Sequence, residues 1–331
     1  YGIDPSAFCL QKLKTGDFVH YRWLGKLGFV LQRVSWLSHM FFLPVPKDAI
    51  VYTREKETAW VFLRRGYKVV FEEHRMPSLS PRGFFSLQRV FRIVAVTRGI
   101  ANVLNAKILQ GTQQAIVAPD AVDLSVFDID ISKQQSRKEL QLSQDASIIM
   151  YSGRTRTMNQ EKGVDQLCAV FPQILKKIPN AVLFIVGADP KEKEHYTSNL
   201  SSTEKNAIYF IPFVDRNRLA LYHKAADVLV MPFPNTPHYA FAMSPLKMFE
   251  YMASGRPIVA SDLASVRDVL TDNKEKQNAF LYKVDDPRAL IEMIVSVIEH
   301  KEESAVVAHR AHKDVQAHSW RARAKKIIDT F

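Results

Sequence analysis

Apolar and polar positions alternate along the chain in short runs that change period repeatedly, and these changes mark its elements. From His20 to Phe42, Trp23, Leu27, Val30, Val34, Leu37 and Phe41 recur at helical spacing with Arg22, Lys26 and Arg33 between them, which predicts an amphipathic, aromatic helix. The runs Ala49 to Thr53 (AIVYT) and Lys68 to Phe71 (KVVF) read as strands, with a helix from Lys56 to Arg65 between them. Further on, Arg82 to Val90 reads as a helix, Phe91 to Val96 as a strand, Thr97 as a helix cap and Ala115 to Pro119 as a strand. This alternation predicts parallel β-α-β units.

Apolar periodicity fades after Asp120, and polar residues dominate from Asp128 to Asp145, so a linker and domain boundary are expected there. A second α/β set begins at Ser147 to Tyr151 (SIIMY), followed by a loop with a glycine, two arginines and Lys162, then a helix from Val164 to Lys177. Strands follow at 181–187, 207–213 and 227–231, with a helix from Arg216 to Ala226. The most informative stretch is SPLKMFEYMASGRPIVASDLASVRDVL, from Ser244 to Leu270. Pro245 suits the first turn of a helix that Gly255 stops; Ile258 to Ala260 reads as a buried strand, and Ser261 and Asp262 as caps for the next helix. From Asp286 onward the chain reads as helices, with Trp320 near the end.

At 331 residues, 47% hydrophobic and 24% charged, the chain is long enough for two globular domains. A continuous apolar run of the ~18 residues a membrane span needs does not occur, and no signal peptide is visible. Cys9 and Cys168 stand far apart, outside metal or redox spacing, which suits buried thiols and a reducing cytoplasm. The net charge of +11 implies anionic partners: phosphates, anionic lipid or nucleic acid. Zinc-finger spacing, an RNA-recognition strand motif and a basic tail are all missing, which argues against nucleic acid. The basic, aromatic segment 20–42 suits an anionic membrane interface; packing on its own domain's sheet is the alternative, and the wide spread of its apolar residues favours packing.

Three places carry candidate chemistry. A helix N-terminus offers unpaired N–H groups and partial positive charge, so Ser244, Pro245, Leu246 and Lys247 form a candidate anion cradle, with Glu250 one turn further in to accept hydroxyls. On these residues alone, an ordinary amphipathic helix with solvated Lys247 and Glu250 reads equally well. The loop holding Arg154, Arg156 and Lys162 suits a diphosphate without a metal. His74, after Glu72 and Glu73, stands at a strand's carboxyl end, where open α/β sheets bind ligands.

Taken in order, VAPDAVDLSVF, MYSGRTRTMNQEKGVDQL, AVLFIVG, IYFIPFVDRNRLALYHKAADVLVMPF and KMFEYMASGRPIVASDLASVRDVL resemble the family 4 glycosyltransferases. VYTR followed by KVVFEEH is similar to the amino-terminal domain of that family, whereas the first part of the chain matches poorly. The resemblance implies an α/β protein of GT-B architecture: two Rossmann-like domains with a cleft between them and a carboxy-terminal helix crossing back. On this chain that would be an amino-terminal acceptor-side domain over 1–122, incomplete at its start, a nucleotide-sugar domain over 123–315 and a crossover helix over 316–331. It implies a retaining hexosyltransferase moving a hexose from a nucleotide-diphospho-sugar, UDP-sugar before GDP-sugar, to a glycan or lipid-linked acceptor, with no metal or other cofactor. A non-catalytic nucleotide-sugar-binding module and a sugar-nucleotide epimerase are the alternatives. The expected location is cytoplasmic, or peripheral at the inner membrane face.

Carried over residue by residue, the diphosphate ligands are Lys162 and Arg154, with Arg156 as the other arginine. Glu250 is the ribose ligand, Phe213 and Val214 lie beside the base, Met243 lies in the donor segment, and His74 is the active-site histidine. The family's other motif glutamate falls on Ala242, so the usual contact to donor-sugar hydroxyls must come from elsewhere in HYAFAMSP.

Overall fold

The computed structural model describes residues 16–77, 87–111, 113–157, 160–271, 273 and 275–331. The first residues, Cys9 among them, and most of the helix expected over 82–90 lie outside that set. The chain divides into two compact units, residues 1–117 with Phe331, and residues 118–330.

The amino-terminal unit holds a parallel sheet in the order β1 (Ile50–Thr53), β2 (Lys68–Glu73), β3 (Arg92–Ala95), β4 (Ile116–Val117). In β2, every residue after Lys68 is buried, as a parallel strand covered on both faces requires. Thr97 caps the following helix, Arg98–Val103, by accepting the Ile100 N–H at 3.1 Å.

The aromatic helix runs over Gly25–Phe42, and only Gly28 in it is buried. Its apolar stripe does not enter the unit's core: Leu27, Phe29, Val30, Val34 and Phe42 are all exposed, as is Trp23 just before it. Packing on the sheet is therefore corrected. Apolar residues spread around the whole helix leave no single face that one sheet could cover.

The carboxy-terminal unit is built on a six-stranded parallel sheet. In sequence, its strands are β5 (Ser147–Ser152), β8 (Ala181–Val186), β9 (Ile208–Ile211), β10 (Val228–Met231), β11 (Ile258–Ser261) and β12 (Phe280–Tyr282). A small antiparallel hairpin, β6 (Arg156–Thr157) with β7 (Gln160–Glu161), follows β5. Across the sheet the order is β12-β11-β10-β5-β8-β9, so the chain leaves β5 toward β8 and returns on its other side at β10. Side chains alternate across it. Ile148 and Met150 join one apolar core and Ile149 and Tyr151 the other. The two faces are thus sealed by helices, and the crevice left where strand order reverses, between β5 and β10, is where such sheets take ligands.

The division falls at Val117/Ala118 rather than after 122 because the next residues are tied to the end of the chain. Val122 N–H donates to the His318 carbonyl at 3.0 Å, and Arg323 donates to the carbonyls of Pro119 and Ala118 at 2.7 and 3.1 Å. These bonds hold the Trp320–Ile328 helix against the start of the unit. The expected linker over 128–145 is likewise part of the folded unit. Ser132 caps a Lys133–Glu139 helix, and within it Arg137 is 2% exposed. That guanidinium satisfies the carbonyls of Ala225, Gln144 and Ala146 and pairs with Asp227 at 2.7 Å.

Candidate functional site

At the reversal point, β5 ends in Ser152, and the chain turns through Gly153 at φ +112. The turn is pinned from below: the Tyr151 hydroxyl, on a fully buried ring, donates to the Arg154 carbonyl at 2.9 Å, and Gly153 N–H donates to Val186 at 2.7 Å. After the hairpin, Gly163 at φ +83 opens the Val164–Lys177 helix. A Cβ at Gly163 would stand 1.6 Å from the Pro232 carbonyl oxygen, so only glycine lets this loop lie against the end of β10.

From the other side comes the Leu246–Ser254 helix, for which Pro245 is the cap residue, outside the first turn, and Gly255 the left-handed stop at φ +65. Its inward face buries Met248, Phe249, Tyr251 and Met252. Ser152 N–H donates to the Tyr251 hydroxyl at 2.8 Å, locking this helix to the end of β5. His223 Nε2 sits 3.0 Å from Ser152 Oγ, and burial presses its pKa down to about 3, so the ring is neutral.

Together these elements enclose a cavity of about 370 Å³, lined among others by Gly153, Lys162, Phe233, Tyr239, Lys247 and Glu250. That volume suits a small organic ligand. Its charges are unusual. Lys247 Nζ is shut off from solvent and has no hydrogen-bond partner among the described residues, lying 3.6 Å from the centre of the Tyr151 ring and 5.4 Å from that of Phe233. Burial and the neighbouring Lys162 charge hold its pKa well below the ordinary lysine range, against the pull of Glu250. Lys162 is also lowered, by burial and then by Arg154. Burial lifts the Glu250 carboxyl to about 7 although Lys247 and Arg216 oppose it. Two amines with lowered pKa and a carboxyl raised to about 7, at the positive end of a helix, make a receptor for an anion that also offers hydroxyls.

Of the residues expected from sequence, Lys162, Met243, Pro245, Leu246, Lys247 and Glu250 line this cavity together. Ser244 does not; its Oγ accepts the Asp120 N–H at 2.8 Å. Arg154 is exposed beside Lys162 and makes no side-chain hydrogen bond or ion pair among the described residues. Arg156, by contrast, is committed to the Glu161 carboxylate and lies 3.1 Å from His195 Nε2. Phe213 is 86% exposed and Val214 half-buried, and neither lines the cavity. His74 lies in the amino-terminal unit, where its Nε2 bonds the Glu72 carboxylate. There it lines a polar cavity of about 620 Å³ with Arg54, Lys56 and Glu73. Ala242 is 2% exposed, and His238 and Tyr239 from the same segment line the cavity wall. Sequence spacing did not single out Tyr151 or Phe233. The one signal was the placing of each aromatic at or just after a strand's carboxyl end, beside the glycine loop or the donor helix.

Residues 146–300, which include every residue named as lining the Lys162–Glu250 cavity, match the family model described as glycosyl transferases group 1. Over these residues the chain is similar to that family. Among similar proteins, a D-inositol 3-phosphate glycosyltransferase of Xylanimonas cellulosilytica is 25% identical over 249 residues, 72% of this chain and 56% of the relative. An uncharacterized glycosyltransferase of Methanocaldococcus jannaschii is 25% identical over 211 residues, 62% of this chain and 50% of the relative. The chain thus spans about half the length of the curated relatives it matches. Among solved structures, sucrose-phosphate synthase from Thermosynechococcus elongatus superposes with a TM-score of 0.70 at 19% identity, covering 92% of this chain and 76% of that one. Anabaena HepE, in complex with UDP and glucose, gives 0.66 at 15% identity, over 93% and 83%. At these identities the likeness is one of fold, and the fold is GT-B.

Proposed function

We propose that this group 1 glycosyltransferase domain binds a nucleotide-diphospho-sugar in the cavity between β5 and the Leu246–Ser254 helix, and transfers the hexose to a glycan or lipid-linked acceptor with retention of configuration. The observation that carries this reading is the convergence of Lys162, Lys247 and Glu250 on one helix N-terminus inside that cavity. As the glycosidic bond breaks, negative charge grows on the leaving diphosphate. Amines already desolvated and already in place stabilise that charge without reorganising. In this reading Lys162, Lys247 and the exposed Arg154 supply the positive charge, so no metal is assigned a role; Glu250 accepts the ribose hydroxyls. His74 positions the sugar or the acceptor hydroxyl. HepE's complex with UDP and glucose favours a UDP-sugar, with a GDP-sugar next.

A second reading, a donor-binding module without turnover, is favoured by one observation: Ala242 is buried where a sugar-contacting carboxylate is expected. Thermal melts with UDP-, GDP- and ADP-sugars test the binding, because a ligand at ~100 times its dissociation constant stabilises by about 2.7 kcal/mol. Stabilisation by none of the three, with the protein folded, defeats both readings. Stabilisation without acceptor-dependent release of nucleotide leaves the second.

Membrane association belongs to the same proposal. No helix of the described residues is long and apolar enough to cross a membrane. The exposed Trp23, Leu27, Phe29 and Phe42 of the 20–42 segment, with Lys26 and no acidic residue between Tyr21 and Phe42, favour contact with an anionic surface. Retention of binding to anionic vesicles after Trp23→Ala with Lys26→Ala would count against it.

A further inference from the structure

We propose that a second ligand site, for a small organic molecule carrying a phosphate monoester, lies at the amino-terminal edge of the six-stranded sheet, the opposite end of the strands from the Lys162–Glu250 cavity. A cavity of about 470 Å³ opens there. It is walled by residues just ahead of β10 (Lys224, Asp227), just ahead of β11 (Arg256), and by Lys133, Lys301 and His309. Asp227 is the one carboxylate among its described lining residues, and its oxygens are already taken by Lys133 at 2.6 Å, Arg137 at 2.7 Å and Ile148 N–H at 2.7 Å.

That leaves a surplus of cations. His312 is engaged by Asp128 at 2.6 Å, but Lys224, Arg256, Lys301 and His309 have no carboxylate partner among the described residues. Asp128 and Asp130 attract Lys224 from beyond pairing distance. Arg256 is held in place, its Nε donating to the Lys224 backbone carbonyl at 2.9 Å, which anchors its guanidinium beside residue 224. Burial and then the Arg256 charge depress the pKa of Lys224, and burial, with Arg137 adding to it against the pull of Asp227, depresses that of Arg256, a cost that an anion beside them would relieve.

Two further features choose the ligand. Lys301, a lining residue, begins the Lys301–Asp314 helix, whose cap residue His300 makes no side-chain cap, so the first N–H groups of that helix have no side-chain acceptor at this end of the cavity. Against them stands the carbonyl end of the Leu246–Ser254 helix at Gly255, whose partial negative charge Arg256 offsets. Lys224, Arg256 and Lys301 with backbone donors suit a dianion with three acceptor oxygens better than a carboxylate. Val297, Ile298 and Ala305 line the same cavity and give it an apolar surface, which an organic group on the phosphate would cover.

The test is calorimetric titration of phenyl phosphate and of inorganic phosphate into the full chain and into Arg256→Gln, Lys301→Glu and Lys162→Ala. The expected result is saturable binding of phenyl phosphate, tighter than inorganic phosphate, weakened about tenfold by each of Arg256→Gln and Lys301→Glu and unchanged by Lys162→Ala. Lys301 is exposed and unpaired, so Lys301→Glu reports on the site even if Arg256→Gln does not fold. Absence of binding to the wild type, indifference to Lys301→Glu, or loss through Lys162→Ala alone overturns the proposal. Equal affinity for inorganic phosphate overturns the organic-ester assignment. None of these outcomes depends on whether the other cavity takes a nucleotide-sugar.

Discussion

The ammonium nitrogen of Lys247 rests 3.6 Å from the centre of the Tyr151 ring, with no hydrogen-bond partner among the described residues. A ring face compensates a desolvated ammonium by only about 2 kcal/mol, far less than the hydration it has lost. Lys247 is therefore held at a cost to folding that an anionic ligand can offset. Lys247→Met keeps the length and apolar contact and removes the charge. The variant is expected to melt higher than wild type without ligand, and to bind the donor at least about tenfold more weakly, the value of one charge-assisted hydrogen bond. Differential scanning with and without donor measures both. A variant that melts lower and binds equally well would show that the amine is structural.

Glu250 adds a pH dependence whose sign is fixed. Its carboxyl is raised from 4.5 to about 7 by burial, so between those values the folded state keeps a proton that the unfolded state has released. The contribution of this group to stability is full below the unfolded value and is lost as pH rises through about 7. Melting temperatures of wild type should therefore fall relative to Glu250→Gln between pH 5 and pH 8. Donor affinity should move the other way, strengthening as the carboxylate forms and can accept hydroxyls, and Glu250→Gln should flatten it. Parallel melting curves would mean that Glu250 titrates as an exposed carboxyl.

Much of this was legible from residue order. The Val164–Lys177 helix lies where its apolar period predicts, and the strand runs around it are recovered within a few residues. The period of an element says which face is covered, but not where a long side chain sends its charged end. Lys247 and Glu250 read equally well as a solvated pair; only the packing of β5 and β10 turns the lysine over Tyr151 and Phe233. Polarity also misled over 128–145, because a segment can be polar and still folded when its polar groups cap helices or, as Arg137 does, satisfy carbonyls inside. Asp262 was expected to cap a helix and instead pairs with Arg267, while Leu263 takes the cap position without a side-chain bond. Local composition cannot separate a cap from an ion pair five residues away.

Gly163 offers a strict test of the loop that carries Lys162. An alanine there meets the Pro232 oxygen at 1.6 Å and is strained at φ +83, so the loop must leave β10 or the helix must shift. Gly163→Ala is expected to cost about 3 kcal/mol or more and to abolish donor binding together with it. Urea unfolding of the variant checks the first, and donor titration the second. Retained binding would show that the lysine does not depend on this turn.

Asp227 is partly buried; burial alone would raise its pKa, but bonds from Lys133 and the Ile148 N–H and the Arg137 charge hold it below the usual carboxylate range. The stability it contributes is present above the unfolded value, roughly pH 3.9, and is lost as pH falls through the lower folded value. Asp227→Asn would leave Arg137 buried without its anion, a loss of about 3–5 kcal/mol at neutral pH. Urea midpoints should therefore be lower for the variant at pH 7, and the gap should close as wild type is taken toward pH 3. Arg137 ties the Lys133–Glu139 helix to the amino ends of β5 and β10, so hydrogen exchange in that helix should accelerate first in the variant. A gap that stays constant down to pH 3 would place the carboxylate's pKa at its ordinary value and remove Asp227 as the source.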